Sequence, residues 1–285
     1  MGGDAGDRGT WANRVSFRMA SSRSTGCAVT VVVVLFLIVL VLRFFVARSL
    51  IYPGSPVAFP PDLESRIPGA RLLRYHSADG TPLEGALLRS ADPAGPVAVY
   101  FHGNAESAAQ SLSWVSALTG RGIGVFLPEV RGFGGLPGRI TEDHLYADGE
   151  AALDALRAEG IPPERTVLLG RSLGTGIAVE LALRRPCRQL VLVSPYTSMV
   201  DMGRLVVGPL ALLVIPDRLD SLAKIGRVRM PIVILHGTRD DVIPVRMGRA
   251  LAAAAPGARY IEVPEARHNE FPGLETKLME AMTGV

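Results

Sequence analysis

A serine flanked by two glycines is the first feature of this sequence that could do chemistry. Residues 170–174 read Gly-Arg-Ser-Leu-Gly and follow four apolar or β-branched residues at 166–169. On a very tight strand-to-helix turn, the residues two before and two after the serine must be small, and Gly170 and Gly174 meet this need. The apolar strand pattern before the motif and the helical pattern after it supply the required setting. The pattern therefore predicts Ser172 as a nucleophile, with an ordinary turn as the alternative.

Two backbone N–H groups are predicted to hold an oxyanion formed beside Ser172. The start of a helix directs unpaired N–H groups and a partial positive charge at this position, which predicts the N–H of Leu173 as one donor. A second donor is expected from the loop that follows the first parallel strand, where residues 101–105 read FHGNA. We assign it to the N–H of Asn104. His102, next to a glycine at a strand end, is expected to shape this loop rather than act as a base.

An acid and a base are predicted in two later loops. Asp240 follows an apolar strand in the segment HGTRDDVIP, and His268 lies between the last strand and the last helix. The chain order serine, acid, histidine is the order of a nucleophile-elbow hydrolase. In that mechanism His268 takes the serine proton, and Asp240 fixes the imidazole and stabilises its cation. The rival acids are Asp241, which is interpreted as a turn or helix-cap residue, and, less plausibly, Glu265. His236, like His102, is expected to shape its loop rather than act as the base.

Alternating strands and helices are predicted to position these loops. Strands as apolar as these, separated by helices, indicate an α/β fold with a mostly parallel sheet covered on both faces. Chemistry in such sheets collects at the carboxyl ends of the strands, where each of these motifs lies. The pattern predicts strands at 71–77, 83–89, 97–101, 124–128, 166–169, 190–193, 232–235 and 259–263, and helices at 108–119, 142–159, 173–184, 245–255 and 271–282.

An apolar stretch near the amino terminus predicts a membrane anchor. Residues 28–42 are apolar apart from Thr30, and the run continues beyond Arg43 to Ala47. A helix needs about 20 residues to cross the hydrocarbon core, so residues 27–47 predict a single-pass signal anchor. The alternative is a cleaved signal peptide, whose apolar region is usually about 7–15 residues long. The modest excess of arginines before the span predicts a catalytic domain outside the cytoplasm.

The remaining segments complete the predicted domain organisation. Residues 1–26 are predicted to be a disordered basic tail, and residues 48–67 a proline-rich linker. Residues 68–285 are predicted to form the catalytic domain, with a short, apolar, lid-like insertion at 195–229. A simple packed helix and loop is the alternative for that insertion.

Charge and metal-ligand counts exclude several classes of function. The formal net charge is +3. Residues 1–48 carry a net charge of +4, with six arginines against two aspartates, so the rest of the chain is close to neutral. No nucleic-acid surface is therefore expected. The two cysteines predict no disulfide framework, and the five histidines show no ligand spacing, so no metal or other cofactor is implied.

Six motifs together resemble the α/β-hydrolase superfamily. They are HGNAES at 102–107, GRSLGTGIA at 170–178, SPYTS at 194–198, LDSLAKI at 219–225, HGTRDDVIP at 236–244 and RHNEF at 267–271. The resemblance covers about residues 70–282 and is nearest to a single-span subgroup that includes the α/β-hydrolase-domain depalmitoylases and the serine aminopeptidase-like and monoacylglycerol lipase-like enzymes. It implies a triad of Ser172, Asp240 and His268, with Asn104 and Leu173 as oxyanion donors.

Two positions depart from the pattern of the resembling families. Arg267 stands where many relatives carry glycine before the catalytic histidine. The cysteine-rich amino terminus of the depalmitoylases is missing from this chain.

Three functions are compatible with these residues. The first is a membrane-anchored serine hydrolase that cleaves carboxylic esters or thioesters, acting on small acyl or lysophospholipid-like substrates. The second is an amidase or aminopeptidase-like hydrolase, in which Glu106 or Glu129 would bind a substrate amine. The third is a non-catalytic binding module on the same scaffold, which the presence of all three triad residue types disfavours. The sequence does not identify protein partners.

Overall fold

An eight-stranded sheet forms the centre of the computed structural model, which describes residues 27–41 and 47–283. The strand order is β1-β2-β4-β3-β5-β6-β7-β8. Strands β1 and β2 form an antiparallel hairpin, and β2 pairs antiparallel with β4, whereas all remaining pairs are parallel. The strands are β1 Ala70–His76, β2 Pro82–Leu88, β3 Val97–Phe101, β4 Gly124–Pro128, β5 Thr166–Arg171, β6 Gln189–Val193, β7 Ile232–Gly237 and β8 Arg259–Val263.

Helices cover both faces of this sheet. The helices are α1 at residues 27–41, α2 Ala47–Ile51, α3 Leu63–Arg66, α4 Ala108–Thr119, α5 Glu142–Ala158, α6 Leu173–Arg184, α7 Met199–Val207, α8 Ala211–Val214, α9 Ser221–Ile225, α10 Val245–Ala254 and α11 Leu274–Thr283. Alternate residues of a strand enter different core clusters: Leu168 packs on the face covered by α5, α6, α9 and α10, whereas Val167 and Leu169 pack on the face covered by α4 and α11. The predicted α/β class and mostly parallel sheet are confirmed.

Most elements lie within two residues of the predicted bounds, and the last helix differs most. The sequence pattern predicts this helix from Phe271, whereas α11 begins at Leu274. Pro272 disfavours helical backbone at the residue before it, and Gly273 has a φ of 65°. The first turn of the predicted helix is therefore replaced by a loop that follows the His268 segment.

The structure describes only part of the amino-terminal segment to which these predictions apply. Residues 1–26, predicted as a disordered tail, and residues 42–46 of the predicted membrane anchor lie outside the described residues. Within residues 27–41 and 47–283, no helix combines the length and the apolar character needed to cross a membrane. The apolar side chains of α1 are mostly exposed.

The segment predicted as a proline-rich linker packs against both faces of the sheet. Ile51 and Tyr52 join the core on one face of the sheet, and Phe59 and Leu63 join the core on the other face. Arg48 forms an ion pair of 3.2 Å with Asp217, within the 195–229 insertion. Residues 48–67 thus contribute buried apolar side chains to both sheet faces.

This packing predicts a stability cost for truncating a side chain in the segment. Leu63 is 1% exposed, so Leu63→Ala should lower the free energy of unfolding by about 2–5 kcal/mol through lost burial and a cavity. Val57 lies in the same segment and is 46% exposed, so Val57→Ala should change it by less than about 0.5 kcal/mol. Chemical denaturation of the full chain measures both. Equal small changes would mean that the segment does not stabilise the domain.

Candidate active site

Ser172 occupies a strained turn between β5 and α6. Its φ of 52° and ψ of −121° are a backbone conformation that residues other than glycine rarely adopt. The Ser172 N–H donates to the Val193 carbonyl at 3.0 Å, and the Ser172 carbonyl accepts from the Thr175 N–H at 3.0 Å. These bonds tie the turn to β6 and to the first turn of α6. The serine side chain is thereby held at the carboxyl edge of the sheet.

Two glycines allow α6 to start this close to the sheet. A Cβ on Gly174 would lie 2.0 Å from the carbonyl oxygen of Phe101 at the end of β3. A Cβ on Gly170 would lie 2.6 Å from the carbonyl oxygen of Gly174. Both contacts are with backbone, which cannot move aside as a flexible side chain can. The glycine requirement inferred from the sequence therefore has a concrete steric origin in this turn.

The three side chains predicted as a triad lie within hydrogen-bonding distance of one another. His268 Nε2 is 3.0 Å from Ser172 Oγ, and His268 Nδ1 is 2.9 Å from Asp240 Oδ2 and 3.1 Å from Oδ1. With the ring neutral, Nδ1–H donates to the carboxylate and Nε2 is left to accept the serine proton. Ser172 and His268 are less than 10% exposed. The arrangement suits proton transfer from a hydroxyl to an imidazole.

Asp240 is held in its charged form. Burial disfavours the carboxylate, but hydrogen bonds from His236 and His268 outweigh burial and hold the pKa of Asp240 well below its usual range. The N–H groups of Val242 and Ile243 also donate to its Oδ1, at 3.0 and 2.7 Å. An ionised carboxylate at this position is suited to stabilise an imidazolium at His268.

The rival acids are not placed as Asp240 is. Asp241 approaches the backbone N–H of His268 at 3.4 Å, and its other oxygen lies 3.4 Å from the Arg267 guanidinium. Glu265 forms an exposed ion pair of 2.9 Å with Arg239. Neither has a hydrogen bond to the His268 ring among the contacts of the described residues. Asp240 is therefore the carboxylate that geometry selects.

The rival histidines also have other partners. His236 Nε2 lies 2.9 Å from the Ile243 carbonyl and 3.5 Å from Asp240 Oδ2, so it contacts the acid rather than the serine. His102 Nδ1 lies 2.7 Å from the Gly103 carbonyl, and its Nε2 lies 2.9 Å from Glu129. Burial opposes charge on His102, but Glu129 outweighs burial and raises the pKa of this histidine. Both ring nitrogens of His102 and Nε2 of His236 are therefore engaged by the loops around them.

The loop after β3 lies directly against Ser172. A Cβ on Gly103 would be 3.5 Å from Ser172 Cβ and 3.9 Å from its Oγ. Asn104 follows, and its side-chain amide donates to the Ile51 carbonyl at 3.1 Å. Leu173 is the first residue of α6, where backbone N–H groups have no partner within the helix. The donor roles of the Asn104 and Leu173 N–H groups stay predictions.

One residue near the site was missed in the sequence. Arg171, between the first glycine and the serine of the motif, contacts both Glu106 and the His268 carbonyl. The available signal was a long cation inside a motif that otherwise favours small or apolar residues.

Within residues 27–41 and 47–283, no group of three or more histidine, cysteine or acidic side chains could hold a metal ion.

Comparison with protein families and with solved structures gives concordant matches. A family model described as serine aminopeptidase, S33, matches residues 92–218. The structure is similar to a Pyrococcus furiosus esterase with a TM-score of 0.63 at 15% identity, covering 81% of this chain and 96% of that one. It is similar to the esterase domain of a Rhodothermus marinus protein with a TM-score of 0.58 at 19% identity, covering 75% and 96%. At these identities, the likeness is one of fold.

Two relatives are closer in sequence. An uncharacterized Mycobacterium tuberculosis protein is 36% identical over 238 residues, which are 81% of this chain and 84% of that protein. The α/β-hydrolase domain-containing protein 17C of Xenopus tropicalis is 31% identical over 230 residues, which are 76% of this chain and 73% of that protein. The match to this α/β-hydrolase domain-containing protein confirms the superfamily to which the six motifs pointed: the chain belongs to the α/β-hydrolase superfamily.

Proposed function

We propose that this protein is a membrane-anchored serine hydrolase that cleaves carboxylic esters or thioesters of acyl or lipid-like substrates. In this proposal, residues 27–47 hold it in the membrane as a single-pass anchor, with the catalytic domain outside the cytoplasm. The observation that carries the hydrolase proposal is the contact of Ser172 Oγ with His268 Nε2 at 3.0 Å, with Asp240 behind the ring. A hydroxyl, an imidazole and a buried carboxylate in series are the arrangement that activates a serine for covalent catalysis.

The proposed reaction proceeds through an acyl-enzyme. His268 Nε2 takes the proton of Ser172 as Oγ attacks the acyl carbonyl, and Asp240 stabilises the imidazolium that results. The N–H groups of Asn104 and Leu173 donate to the oxyanion. The imidazolium then gives its proton to the leaving alcohol or thiol as the carbon–oxygen or carbon–sulfur bond breaks. Water, deprotonated by His268, attacks the acyl-serine and releases the acid.

Ester cleavage is favoured over aminopeptidase activity by the two carboxylates that could have bound an amine. Glu106 accepts hydrogen bonds from Arg171 and from the Gly103 N–H. Glu129 is buried against His102 and accepts from the Ala108 N–H at 3.0 Å. Both carboxylates are thus engaged by the protein itself. A substrate ammonium group would have to displace these partners.

An apolar surface in the insertion supports the lipid-like substrate class. Helices α7 and α8 bury only Val200 and Ala211. Six aliphatic side chains, located in these two helices and in the turn between them, are at least 40% exposed. Contiguous exposed apolar surface is unusual on a protein that meets only water. We call these residues the apolar patch; they are Leu205, Val206, Val207, Leu210, Leu212 and Leu213. The exposed apolar side chains of α1 support membrane anchoring in the same way.

Removal of the nucleophile tests the hydrolase proposal directly. Ser172→Ala should abolish labelling by a fluorophosphonate probe and lower kcat for a p-nitrophenyl ester by about 10³-fold or more, because no other group can form the acyl-enzyme. Ser116→Ala, in an exposed part of α4, is the control and should label as the parent does. Unchanged labelling of Ser172→Ala would overturn the proposal, and a parent chain without labelling would favour a binding module.

Substrate series separate the ester and amide alternatives. We expect kcat/KM to be higher for p-nitrophenyl acyl esters than for aminoacyl anilides of matched leaving group, and to rise from two-carbon to longer acyl chains. The reason is that the nearby carboxylates are already paired and the insertion is apolar. Faster turnover of the anilides would reverse the preference for esters.

The apolar patch should matter only for substrates held in a lipid surface. Val206→Ser with Leu213→Ser should raise the apparent KM several-fold for a long-chain ester presented in vesicles, since it removes apolar contact with the lipid. The same double variant should hydrolyse a soluble short-chain ester as the parent does. Val57→Ser, at a residue that is 46% exposed outside the patch, is the matched control. An equal loss on both substrates would point to a packing role instead.

A further inference from the structure

We propose that Arg171 is a positioning residue, which holds the His268 loop and the loop after β3 in register with the nucleophile. The proposal rests on the proposed serine hydrolase function. Arg171 is the last residue of β5 and immediately precedes Ser172, so its backbone is part of the strained turn. Its side chain is 17% exposed and reaches two other loops.

One nitrogen of the Arg171 guanidinium binds the His268 loop. Nη2 donates to the His268 carbonyl at 3.0 Å and to Asn269 Oδ1 at 2.9 Å. The His268 ring is meanwhile held by Asp240, so the residue is fixed at both its side chain and its backbone. The carbonyl contact sets the point from which the ring extends toward Ser172. A shift of about 1 Å in such a group can lower a rate by about 10²-fold.

The other guanidinium nitrogen binds the loop after β3. Nη1 donates to Glu106 Oε1 at 2.9 Å, and the same oxygen accepts from the Gly103 N–H at 3.0 Å and from the Tyr100 hydroxyl at 3.1 Å. Glu106 therefore joins Arg171 to the peptide group of Gly103. Because Gly103 lies against Ser172 and precedes Asn104, this contact sets the position of the proposed oxyanion donor.

The charges of Arg171 and Glu106 stabilise each other. Burial opposes ionisation of Glu106, but the Arg171 guanidinium and the Gly103 N–H outweigh burial and hold the pKa of Glu106 below its usual range. The second oxygen of Glu106 accepts from the Ser111 hydroxyl at 3.3 Å. A planar guanidinium suits this position because its two terminal nitrogens can serve different loops at once.

A simpler role for Arg171 would be to neutralise the charge of Glu106. Lysine separates the two roles, because it keeps the positive charge but presents a single nitrogen on a flexible stem. Arg171→Lys can pair with Glu106 yet cannot also hold the His268 carbonyl and Asn269 in a fixed fork. Charge neutralisation predicts full activity for this variant, whereas loop positioning predicts a loss.

The test uses the full chain and compares Arg171→Lys, Arg171→Met and Asn269→Ala with the parent. Arg171→Lys and Arg171→Met should lower kcat on a soluble p-nitrophenyl ester, and the rate of fluorophosphonate inactivation, by about 10–100-fold, with KM changed by less than about 3-fold. Asn269→Ala should lower both rates less. It should have no further effect in Arg171→Lys, because residues that act through one contact are not additive.

Arg185→Met is the matched control, because Arg185 also forms an ion pair, with Asp154, at a half-buried position after α6. It should leave both rates unchanged. Thermal unfolding of each variant separates misplacement from loss of the fold. If Arg171→Met does not fold, Arg171→Lys and the exposed Asn269→Ala decide the question. A parent that reacts with the probe and an Arg171→Lys variant that matches it would overturn the positioning role. A parent that fails to react would instead overturn the hydrolase proposal.

Discussion

The close approach of the α6 amino terminus to the ends of β3 and β5 is the constraint on which the site depends. Only glycine fits at positions 170 and 174, where any Cβ would meet backbone within 3 Å. Ser172 takes a positive φ of 52° because the polypeptide must reverse within one residue between the strand and the helix. Such a conformation persists only when surrounding contacts fix it. The bonds from Ser172 to Val193 and Thr175 supply that fixation.

Three carboxylates stabilise the loops around this turn in the same way. Each accepts a hydrogen bond from at least one backbone N–H close by in the sequence. Each also contacts a guanidinium or imidazole group of another loop. Glu106 joins Gly103 to Arg171, Glu129 joins Val130 to His102, and Asp240 joins Ile243 to His268. Buried carboxylates are stable only when they are so paired. The loops at the sheet edge are thus connected by side chains rather than by regular secondary structure.

Much of this arrangement could be predicted from the sequence. Apolar strands such as Val97–Phe101 are short and strongly patterned, and their carboxyl ends carried the glycines, the serine and the histidine that topology brings together. The sequence predicted Asp240 over Asp241 because Asp240 lies nearer the strand, but only coordinates show that the Asp240 carboxylate contacts the His268 ring. The contacts of Arg171 also needed coordinates, since its partners lie 65 and 97 residues away along the chain. Burial of Phe59 and Leu63 was hidden because a proline-rich segment has no periodicity to indicate a packed face.

The packing of residues 48–67 has a consequence for how the enzyme could meet its substrate. Arg48 also donates to the Ile140 carbonyl, in addition to its ion pair with Asp217, so the segment is fastened near its first residue. A protein anchored through residues 27–47 and fastened there would have almost no slack between bilayer and catalytic domain. It could not explore a large volume, as a domain on a long flexible linker does. Under the proposed anchoring, access to lipid-borne substrates would therefore be set by how the folded domain sits on the bilayer rather than by the length of a linker.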